Sequence, residues 1–419
     1  MRRRGEIFGT IDRTTVLLYL MLVVYGWLSI YSASAGDQSV WVFDLSQRYG
    51  KQLIWIGLAL LLAFTILIID AKFFSTFAYV FYFLMLIILV GVLLFGKTVA
   101  GSKSWFEIGN IALQPAEFAK FATALALAKY LSMRNIDLRN LKNKVVAVTI
   151  LAAPAVLILL QNDTGSALVY FAFVLVLFRE GLSGLIIVAG VLMAALFITT
   201  IIWGEIYVSA ALVILMALGF LISQRLRKIR MPLIAILALS IVFVFSVNYG
   251  FQHILEPHQR VRIQIMLGLK KDIHGAGYNV NQAKIAIGSG GLTGKGFCKG
   301  MLTQNHFVPE QSTDFIFCTV GEERGFLGSA VLILLFLSLL IRIILLAERQ
   351  RSAFSRIYGY GVASVLFFHF TINIAMTIGL APVVGIPLPF FSYGGSSLWA
   401  FTILLFIFIK QDANRLNVL

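Results

Sequence analysis

Charged residues are scarce in this sequence, and long apolar runs take their place. Asp, Glu, Lys and Arg make up 13% of the 419 residues, whereas 59% are hydrophobic. Soluble domains carry about 25% charged residues, so a soluble globular protein is excluded. The composition, with a mean hydropathy of +0.91, indicates a polytopic membrane protein, and we treat residues 1–419 as a single membrane domain.

Cysteine is almost absent. Cys298 and Cys318 are the only two cysteines, and their positions fit no metal-ligand spacing. We therefore expect neither a disulfide framework nor a zinc site. The first apolar run, after "MRRRGEIFGTIDR", is long enough to span a bilayer and has no small-residue cleavage pattern at its end. It predicts a first transmembrane helix rather than a cleaved signal peptide.

Apolar runs of spanning length predict an all-α fold with about twelve transmembrane helices. They lie at 14–34, 52–70, 74–97, 114–132, 144–161, 164–180, 182–203, 206–223, 231–250, 326–347, 356–380 and 397–411.

The basic residues, which give a net charge of +15, predict how these helices are oriented. With a cytoplasmic N-terminus, "MRNIDLRNLKNK", "SQRLRKIRM", "ERQRSAFSR" and the C-terminal "KQDANRLNVL" all fall on the cytoplasmic side, as the positive-inside rule requires. The loops at 97–110, 161–165, 251–325 and 379–395 are then outside. Polar and glycine-rich backbone near a membrane is tolerated where it lines a cavity, so we expect these four loops to form one cavity.

The large outer loop 251–325 begins with "EPHQRVRIQIMLGLKK", a mixture of aliphatic and basic residues. This mixture suits a helix that lies in the membrane interface. Alternatively, Arg260 and Arg262 bind an anionic headgroup, because a guanidinium group matches phosphate oxygens.

The glycine-rich stretch "GYNVNQAKIAIGSGGLTGKGF" in the same loop is not a Walker A motif. Ser289 stands where that motif needs glycine, and Gly296 stands where it needs Ser or Thr. Either the glycines permit tight turns, or their amides form an anion nest beside Lys295, with Lys284 as a further polar candidate.

The stretch "FVPEQSTDFIF" places Glu310 and Asp314 among aromatic residues. Partial desolvation by the phenylalanines would raise the pKa of Asp314 toward the range useful for a general base. The alternatives are that Arg324 or a lysine pairs with this carboxylate, or that Thr313 and Asp314 cap the following helix.

The second outer loop leads into "SWFEIGNIALQPAEFAK". Pro115 suits the first position of a helix, and Glu117 then lies in its first turn. Glu117 and Lys120 either neutralise each other as an i, i+3 pair or act as functional intramembrane groups. Trp105 is a candidate interfacial anchor.

Two further outer segments carry candidate site residues. Asp163 in "QNDTG" is positioned to cap a helix that starts near Thr164. "GIPLPFFSYGGSS" contains too many proline and glycine residues for a helix. We expect an irregular or re-entrant segment that lines the cavity, before Ser396 or Ser397 starts the last helix.

Five motifs now identify a family. "QPAEFAK", "QNDTGSAL", "GAGYNVNQAKIAIGSGGLTGKGF", "FVPEQSTDFIF" and "GLAPVVGIPLPFFSYGGSS" occur in the order and separation of the SEDS proteins, which the chain resembles over most of its length. Through "VVGIPLPF" it resembles the rod-shape branch more than the division branch.

The resemblance implies a peptidoglycan glycosyltransferase of the bacterial cytoplasmic (inner) membrane. Such an enzyme polymerises lipid II, releases undecaprenyl diphosphate and works with a class B penicillin-binding protein of the elongation machinery. No nucleic acid is implied. The family aspartate on which activity depends corresponds to Asp314, and further family residues correspond to Glu117, Lys120, Trp105 and Asp163.

The chain departs from the family pattern in two places. Members usually have ten spans, so residues 204–250 are interpreted as an inserted helix pair, which preserves the sidedness of the following loop. Ser312 stands where a histidine often precedes "TD", and no role is assigned to it.

The implied reaction needs a base for the acceptor hydroxyl and cationic groups for the departing diphosphate. Asp314 suits the first task. Arg260, Arg262, Lys284 and Lys295 suit the second, with or without a divalent cation such as Mg²⁺. Further candidate substrate-binding residues are Glu117, Lys120, Trp105, Asp163, Glu310 and Ser396. A single displacement would invert the α-linked donor to a β-linked glycan.

Two other classes of function remain open from the sequence. A lipid II flippase would also have many spans and broken helices, but it needs a polar path through the midplane, whereas these polar candidates crowd on the outer side. A non-catalytic scaffold would tolerate the loss of Asp314.

Overall fold

The computed structural model describes residues 10–34, 43–99, 101–109, 111–222, 230–253, 255–270 and 276–416. Helices dominate these residues. They are α1 (Arg13–Ser34), α2 (Arg48–Ile68), α3 (Ala71–Thr76), α4 (Ala78–Phe95), α5 (Pro115–Leu131), α6 (Leu141–Leu160), α7 (Thr164–Leu168), α8 (Phe173–Arg179), α9 (Gly184–Trp203), α10 (Glu205–Ile222), α11 (Arg230–His253), α12 (Pro257–Met266), α13 (Ala276–Ser289), α14 (Met301–Gln304), α15 (Ile316–Glu348), α16 (Ala353–Thr377) and α17 (Gly395–Ala413).

Among the described residues, ten helices are long and apolar enough to cross a membrane: α1, α2, α4, α6, α9, α10, α11, α15, α16 and α17. The other two predicted spans are also helical but shorter. Helix α5 has 17 residues, and 164–180 is formed by α7, a 3₁₀ turn at Val169–Ala172 and α8. The all-α, multi-pass membrane architecture is confirmed, while the total of twelve spans stays a prediction.

The loop at 97–110 contains structure that the sequence analysis did not predict. Strands β1 (Lys97–Val99), β2 (Ser102–Ile108) and β3 (Ile111–Leu113) form an antiparallel sheet in the order β1-β2-β3. Lys97 pairs with Trp105 across the first two strands. The Lys103 amide donates to the Gln161 carbonyl at 2.9 Å, so the sheet is fixed to the turn before α7.

The chain divides into two compact units, residues 1–182 with 279–419 and residues 183–278. In the second unit, α9, α10 and α11 pack on one another. Helices α10 and α11 coincide with the predicted extra pair at 204–250, whose status as an insertion stays a prediction. Helix α12 begins at Pro257 within the amphipathic stretch that was expected to form an interfacial helix.

In the first unit, α17 packs against α2 and α5, while α15 packs against α1 and α16. Polar contacts join the two ends of the chain inside this core. The Tyr19 and Thr402 hydroxyls lie 3.0 Å apart and are buried. Asp12, just before α1, forms an ion pair with Arg342. Arg349 donates from Nε to Asp412 at 2.9 Å.

Helix α15 is broken at Gly325, whose φ of 61° is left-handed. A Cβ at this position would lie 2.4 Å from the Gly294 amide nitrogen. Only glycine avoids both the conformational strain and the clash. The break allows the glycine-rich loop to pack directly against the helix.

Candidate active site

The predicted irregular segment is present at residues 379–394, which contain no helix, and α17 follows from Gly395. It lies against the start of α7, because a Cβ at Gly165 would be 2.2 Å from the Val384 carbonyl oxygen. It also lies against α13, because a Cβ at Gly379 would be 2.4 Å from Lys284 Nζ. The segment thus meets two of the regions that carry predicted site residues.

Asp314 lies beside the same segment. A Cβ at Gly385, whose φ is 71°, would be 3.4 Å from Asp314 Oδ2. Because glycine has no side chain there, the space next to this carboxylate oxygen stays open. Asp314 is half-buried and directly precedes Phe315, the N-cap residue of α15.

Hydrogen bonds fix the backbone on both sides of Asp314. The buried Asn373 amide donates to the Asp314 carbonyl and to the Ile386 carbonyl, each at 2.8 Å. Ser392 Oγ donates to the Thr313 carbonyl at 2.6 Å. The turn that carries Asp314 is therefore tied both to α16 and to the 379–394 segment.

Ser312, which was assigned no role, also takes part in fixing this turn. Its carbonyl accepts from the Tyr393 amide at 2.8 Å, and its hydroxyl accepts from Arg48 Nη1 at 2.6 Å. The Arg48 guanidinium carbon also lies 5.8 Å from the centre of the Tyr393 ring, and burial raises the pKa of this tyrosine. These contacts couple α2 to the Asp314 turn.

Glu117 and Lys120 form the predicted i, i+3 pair at 2.8 Å in α5, which begins at Pro115 as expected. Lys120 also lies 2.9 Å from Nε2 of His369 in α16 and 4.9 Å from the centre of the Phe401 ring. The His369 Nδ1 lies 3.1 Å from the Pro387 carbonyl oxygen. Since a carbonyl can only accept, Nδ1 carries the proton and Nε2 accepts from the Lys120 ammonium.

Asp163 caps α7 as predicted, because its Oδ1 accepts from the Ser166 amide at 3.0 Å. Its other oxygen accepts from Gln114 Nε2 at 2.7 Å. Gln114 is the N-cap residue of α5. One carboxylate thus joins the starts of two helices that carry predicted site residues.

Lys295 contacts a carboxylate of the protein. Its ammonium lies 2.8 Å from Oε1 of the fully buried Glu322. The Glu322 carboxylate also accepts from the Leu302 amide and from both the amide and the hydroxyl of Thr303. These four donors bind the glycine-rich loop to α15.

The remaining candidates of the first unit differ in exposure. Glu310 is exposed, has a φ of 55° and accepts from Thr313 Oγ1 at 2.9 Å. Trp105 is half-buried in β2, and Ser396 is buried in the first turn of α17. Lys284 is exposed beside Gly379.

Arg260 and Arg262 lie in α12 of the second unit. Arg260 donates from Nε to the Leu255 carbonyl at 2.9 Å. It lines a cavity of about 290 Å³ together with polar residues of α10, α11 and α12, among them Glu205, Asn248 and Gln264.

Several residues that fix the site were not predicted from the sequence. His369 and Asn373 are polar residues four positions apart in the apolar helix α16, and this spacing places them on one face. This pair of polar residues on one face of an apolar helix was the sequence signal that could have predicted their role. The sequence carried no such signal for Gly385 and Ser392, because their roles depend on the path of the 379–394 segment.

No group of three or more His, Cys, Asp or Glu side chains that could hold a metal ion occurs in the described part of the chain.

Five helix ends meet around the 379–394 segment: the starts of α5, α7, α15 and α17 and the end of α16. The fold therefore defines a multi-pass membrane protein with a polar site at one end of its helical bundle. The model of the FtsW/RodA/SpoVE family of cell cycle proteins matches residues 12–212 and 205–416. The chain belongs to this family, which confirms the resemblance inferred from its motifs.

Relatives align over nearly the whole chain. It is 32% identical to the peptidoglycan glycosyltransferase MrdB of Escherichia coli K12, with 93% of this chain and 90% of that protein covered. It is 31% identical to the peptidoglycan glycosyltransferase RodA of Treponema pallidum, with 99% and 100% covered.

Solved structures share the fold. A chain of a peptidoglycan synthase complex that coordinates polymerization and crosslinking matches with a TM-score of 0.72 and 27% identity, covering 97% of this chain and 99% of that one. The rod shape determining protein RodA of Thermus thermophilus matches with a TM-score of 0.62 and 25% identity over 97% of both chains.

Proposed function

We propose that this chain is a peptidoglycan glycosyltransferase that polymerises lipid II, with Asp314 as the general base. The observation that carries the assignment of the base is the position of Asp314. Its carboxylate lies beside the open space at Gly385, while hydrogen bonds from Asn373 and Ser392 hold its backbone. A base must be held within hydrogen-bonding reach of the hydroxyl that it deprotonates.

The proposed step is a single displacement. Asp314 accepts the proton of the acceptor sugar hydroxyl as its oxygen bonds to the anomeric carbon of the donor. The bond from that carbon to the diphosphate breaks on the opposite face, and its electron pair leaves with undecaprenyl diphosphate. The product linkage therefore has inverted configuration.

The cationic candidates divide by their surroundings. Lys284 is exposed beside the 379–394 segment, so its ammonium is available to the diphosphate oxygens. Lys295 already contacts Glu322, and we assign it first to anchoring the loop. Arg260 and Arg262 remain proposed headgroup contacts of the second unit, and Trp105, Glu310 and Ser396 remain proposed substrate contacts.

Glu117, Lys120 and Asp163 stabilise the helices and the segment that surround Asp314. Glu117 and Lys120 are buried, and Lys120 bonds to His369, which bonds to the Pro387 carbonyl. Asp163 holds the starts of α5 and α7 together. We propose that these groups fix the 379–394 segment in place against the substrate.

The distribution of basic loops supports an orientation in which both termini are cytoplasmic and Asp314 faces the outside of the bacterial cytoplasmic membrane. The similarity to a synthase complex that couples polymerization with crosslinking supports a class B penicillin-binding protein as partner. The similarity to RodA proteins supports a role in elongation.

Polymerisation of purified lipid II, with and without a candidate class B partner, tests the proposal. Because a general base contributes about 10²–10⁴-fold, Asp314→Asn should lower the rate by at least about 100-fold. Glu107→Gln, which removes an exposed carboxylate paired with Lys97, should leave the rate unchanged. Strong polymerisation by a folded Asp314→Asn protein would refute the assignment of the base.

A further inference from the structure

A groove runs between α1 and α15, and Asp314 is not among the residues that line it. Its volume is about 450 Å³. Apart from Tyr25 and Arg324, its lining is entirely aliphatic or thioether: Leu20, Met21, Val24, Leu28 and Leu335. These residues lie on helices that are long and apolar enough to span the membrane.

Gly328 allows α1 and α15 to approach closely at this groove. The Tyr25 hydroxyl donates to the Gly328 carbonyl at 3.1 Å. A Cβ at Gly328 would lie 3.1 Å from that hydroxyl oxygen and 2.3 Å from Arg324 Cβ. The contact fixes the Tyr25 ring in position beneath the Arg324 guanidinium.

Among the residues that the structure describes, Arg324 is the only cation that lines the groove. Its guanidinium carbon lies 4.4 Å from the Tyr25 ring centre and 5.7 Å from that of Phe297, and Nη1 lies 3.5 Å from Ser29 Oγ. No carboxylate of the described ranges lies within ion-pair distance of it; the carboxylate of the adjacent Glu323 accepts from the Ser32 hydroxyl and interacts with Arg324 only at longer range. A half-buried cation in such apolar surroundings is costly unless an anion joins it.

The positions along the helices separate the charge from the apolar part. Arg324 precedes Leu335 by eleven residues, and the helix that continues beyond the break at Gly325 spans about 14 Å up to Leu335 at 1.5 Å per residue. Arg324 lies at the end of α15 that carries the glycine-rich loop, and Leu335 lies deeper in the span. A ligand for this groove needs an anionic head at the loop end and a slim apolar tail toward the membrane centre.

We propose that this groove binds an anionic phospholipid, with the phosphate on Arg324 and one acyl chain along α1 and α15. The cation at the loop end of the groove and the aliphatic lining beyond it match the anionic head and the acyl chain of a phospholipid. The lipid would cover the α1–α15 contact along this groove.

Native mass spectrometry of the purified protein tests the proposal independently of its activity. The probes are phosphatidylglycerol and phosphatidylcholine with identical acyl chains. The wild-type protein should retain phosphatidylglycerol at least fivefold better than phosphatidylcholine. Arg324→Gln should abolish this preference, and Val24→Trp, which fills the groove and keeps Arg324, should reduce the binding of both lipids at least fivefold.

Lys299→Gln serves as the matched control, because it removes one exposed positive charge from the adjacent loop without touching the groove lining. Its lipid retention should equal that of the wild type. Equal retention of both lipids by the wild type would overturn the proposal, as would full retention of phosphatidylglycerol by Val24→Trp. If Arg324→Gln does not fold, Val24→Trp decides the outcome.

Two other ligands could occupy the groove, and the same experiment distinguishes each of them from a phospholipid. Displacement of phosphatidylglycerol by stoichiometric undecaprenyl diphosphate would assign the groove to a polyprenyl lipid and overturn the proposal. So would displacement by the transmembrane helix of a class B penicillin-binding protein. Lipid retention that survives Asp314→Asn would separate this site from the proposed catalytic reaction.

Discussion

Lys120 and Glu117 form an ion pair of 2.8 Å in which each side chain is only 2% exposed. Burying two charges is costly, and their attraction compensates for that cost only while both remain. His369 is the other polar partner of the ammonium group. The stability of α5 in the bundle therefore depends on keeping this group of charges complete.

Lys120→Met should destabilise the protein by about 3–5 kcal/mol, because it leaves the Glu117 carboxylate buried without its cation. The double variant Glu117→Gln/Lys120→Met should recover part of this loss, since no buried charge of the pair remains. Thermal unfolding in detergent measures both effects. Strictly additive losses from the two single substitutions would contradict this account.

Gly385→Ala should lower the polymerisation rate at least tenfold. The added methyl group would occupy the space 3.4 Å from Asp314 Oδ2 that an acceptor hydroxyl needs. Gly181→Ala is the matched control, because Gly181 also has a positive φ but a Cβ there would meet nothing within 4 Å. Both variants should lose about 1–2 kcal/mol of stability from backbone strain, and only Gly385→Ala should lose activity. Equal activities would exclude the proposed role of this space.

Because of Asp12, the free energy of unfolding should fall as the pH becomes acidic. Burial raises the pKa of Asp12, but hydrogen bonds from Arg342 and Thr15 outweigh it and lower the pKa to about 2. Because the folded pKa lies below the ordinary value of about 3.9, this stabilisation is complete above that value and is lost as pH falls toward 2.

Comparison of melting temperatures tests this dependence. Asp12→Asn should melt below the wild type at pH 7, and the difference should shrink between pH 4 and pH 2. Asp137→Asn, at an exposed aspartate, should show no such convergence. A constant difference between wild type and Asp12→Asn at all pH values would contradict the prediction.

Lys295→Gln should loosen the glycine-rich loop, since it removes one of the four donors to the buried Glu322 carboxylate. Lys295 is partly exposed, so we expect a loss of only about 1 kcal/mol, which corresponds to roughly fivefold faster proteolysis of residues 291–300. Limited proteolysis measures this effect, with the Lys299→Gln variant as the control. A raised KM for lipid II with unchanged proteolysis would instead assign Lys295 to the substrate.

Local features of the fold were predictable from the sequence. Hydropathy located the spans, because the length of an apolar run is a property of neighbouring residues. The helix start at Pro115, the cap formed by Asp163 and the pairing of Glu117 with Lys120 were also predictable. Each of these depends on residues no more than four positions apart.

Features that depend on the tertiary fold were not predictable. Lys120 and His369 are 249 positions apart, and their contact exists only after α5 and α16 have packed. The small sheet at 97–113 is a different case. Trp105, Phe106 and Ile108 lie between Gly101 and Gly109, which both have positive φ, so a strand signal was present but was interpreted as loop.

The hydrogen bond between Tyr19 and Thr402 has a consequence for how the protein is made. The two residues are 383 positions apart, and at a synthesis rate of about 5–20 residues per second the second emerges roughly 20–80 s after the first. Throughout that interval the Tyr19 hydroxyl lacks its native partner, and Asp12 has only its local hydrogen bonds from Thr15, because its arginine comes 330 positions later. The first helix must therefore wait in the membrane, held by insertion factors or by lipid, until the last helices arrive to complete its polar contacts.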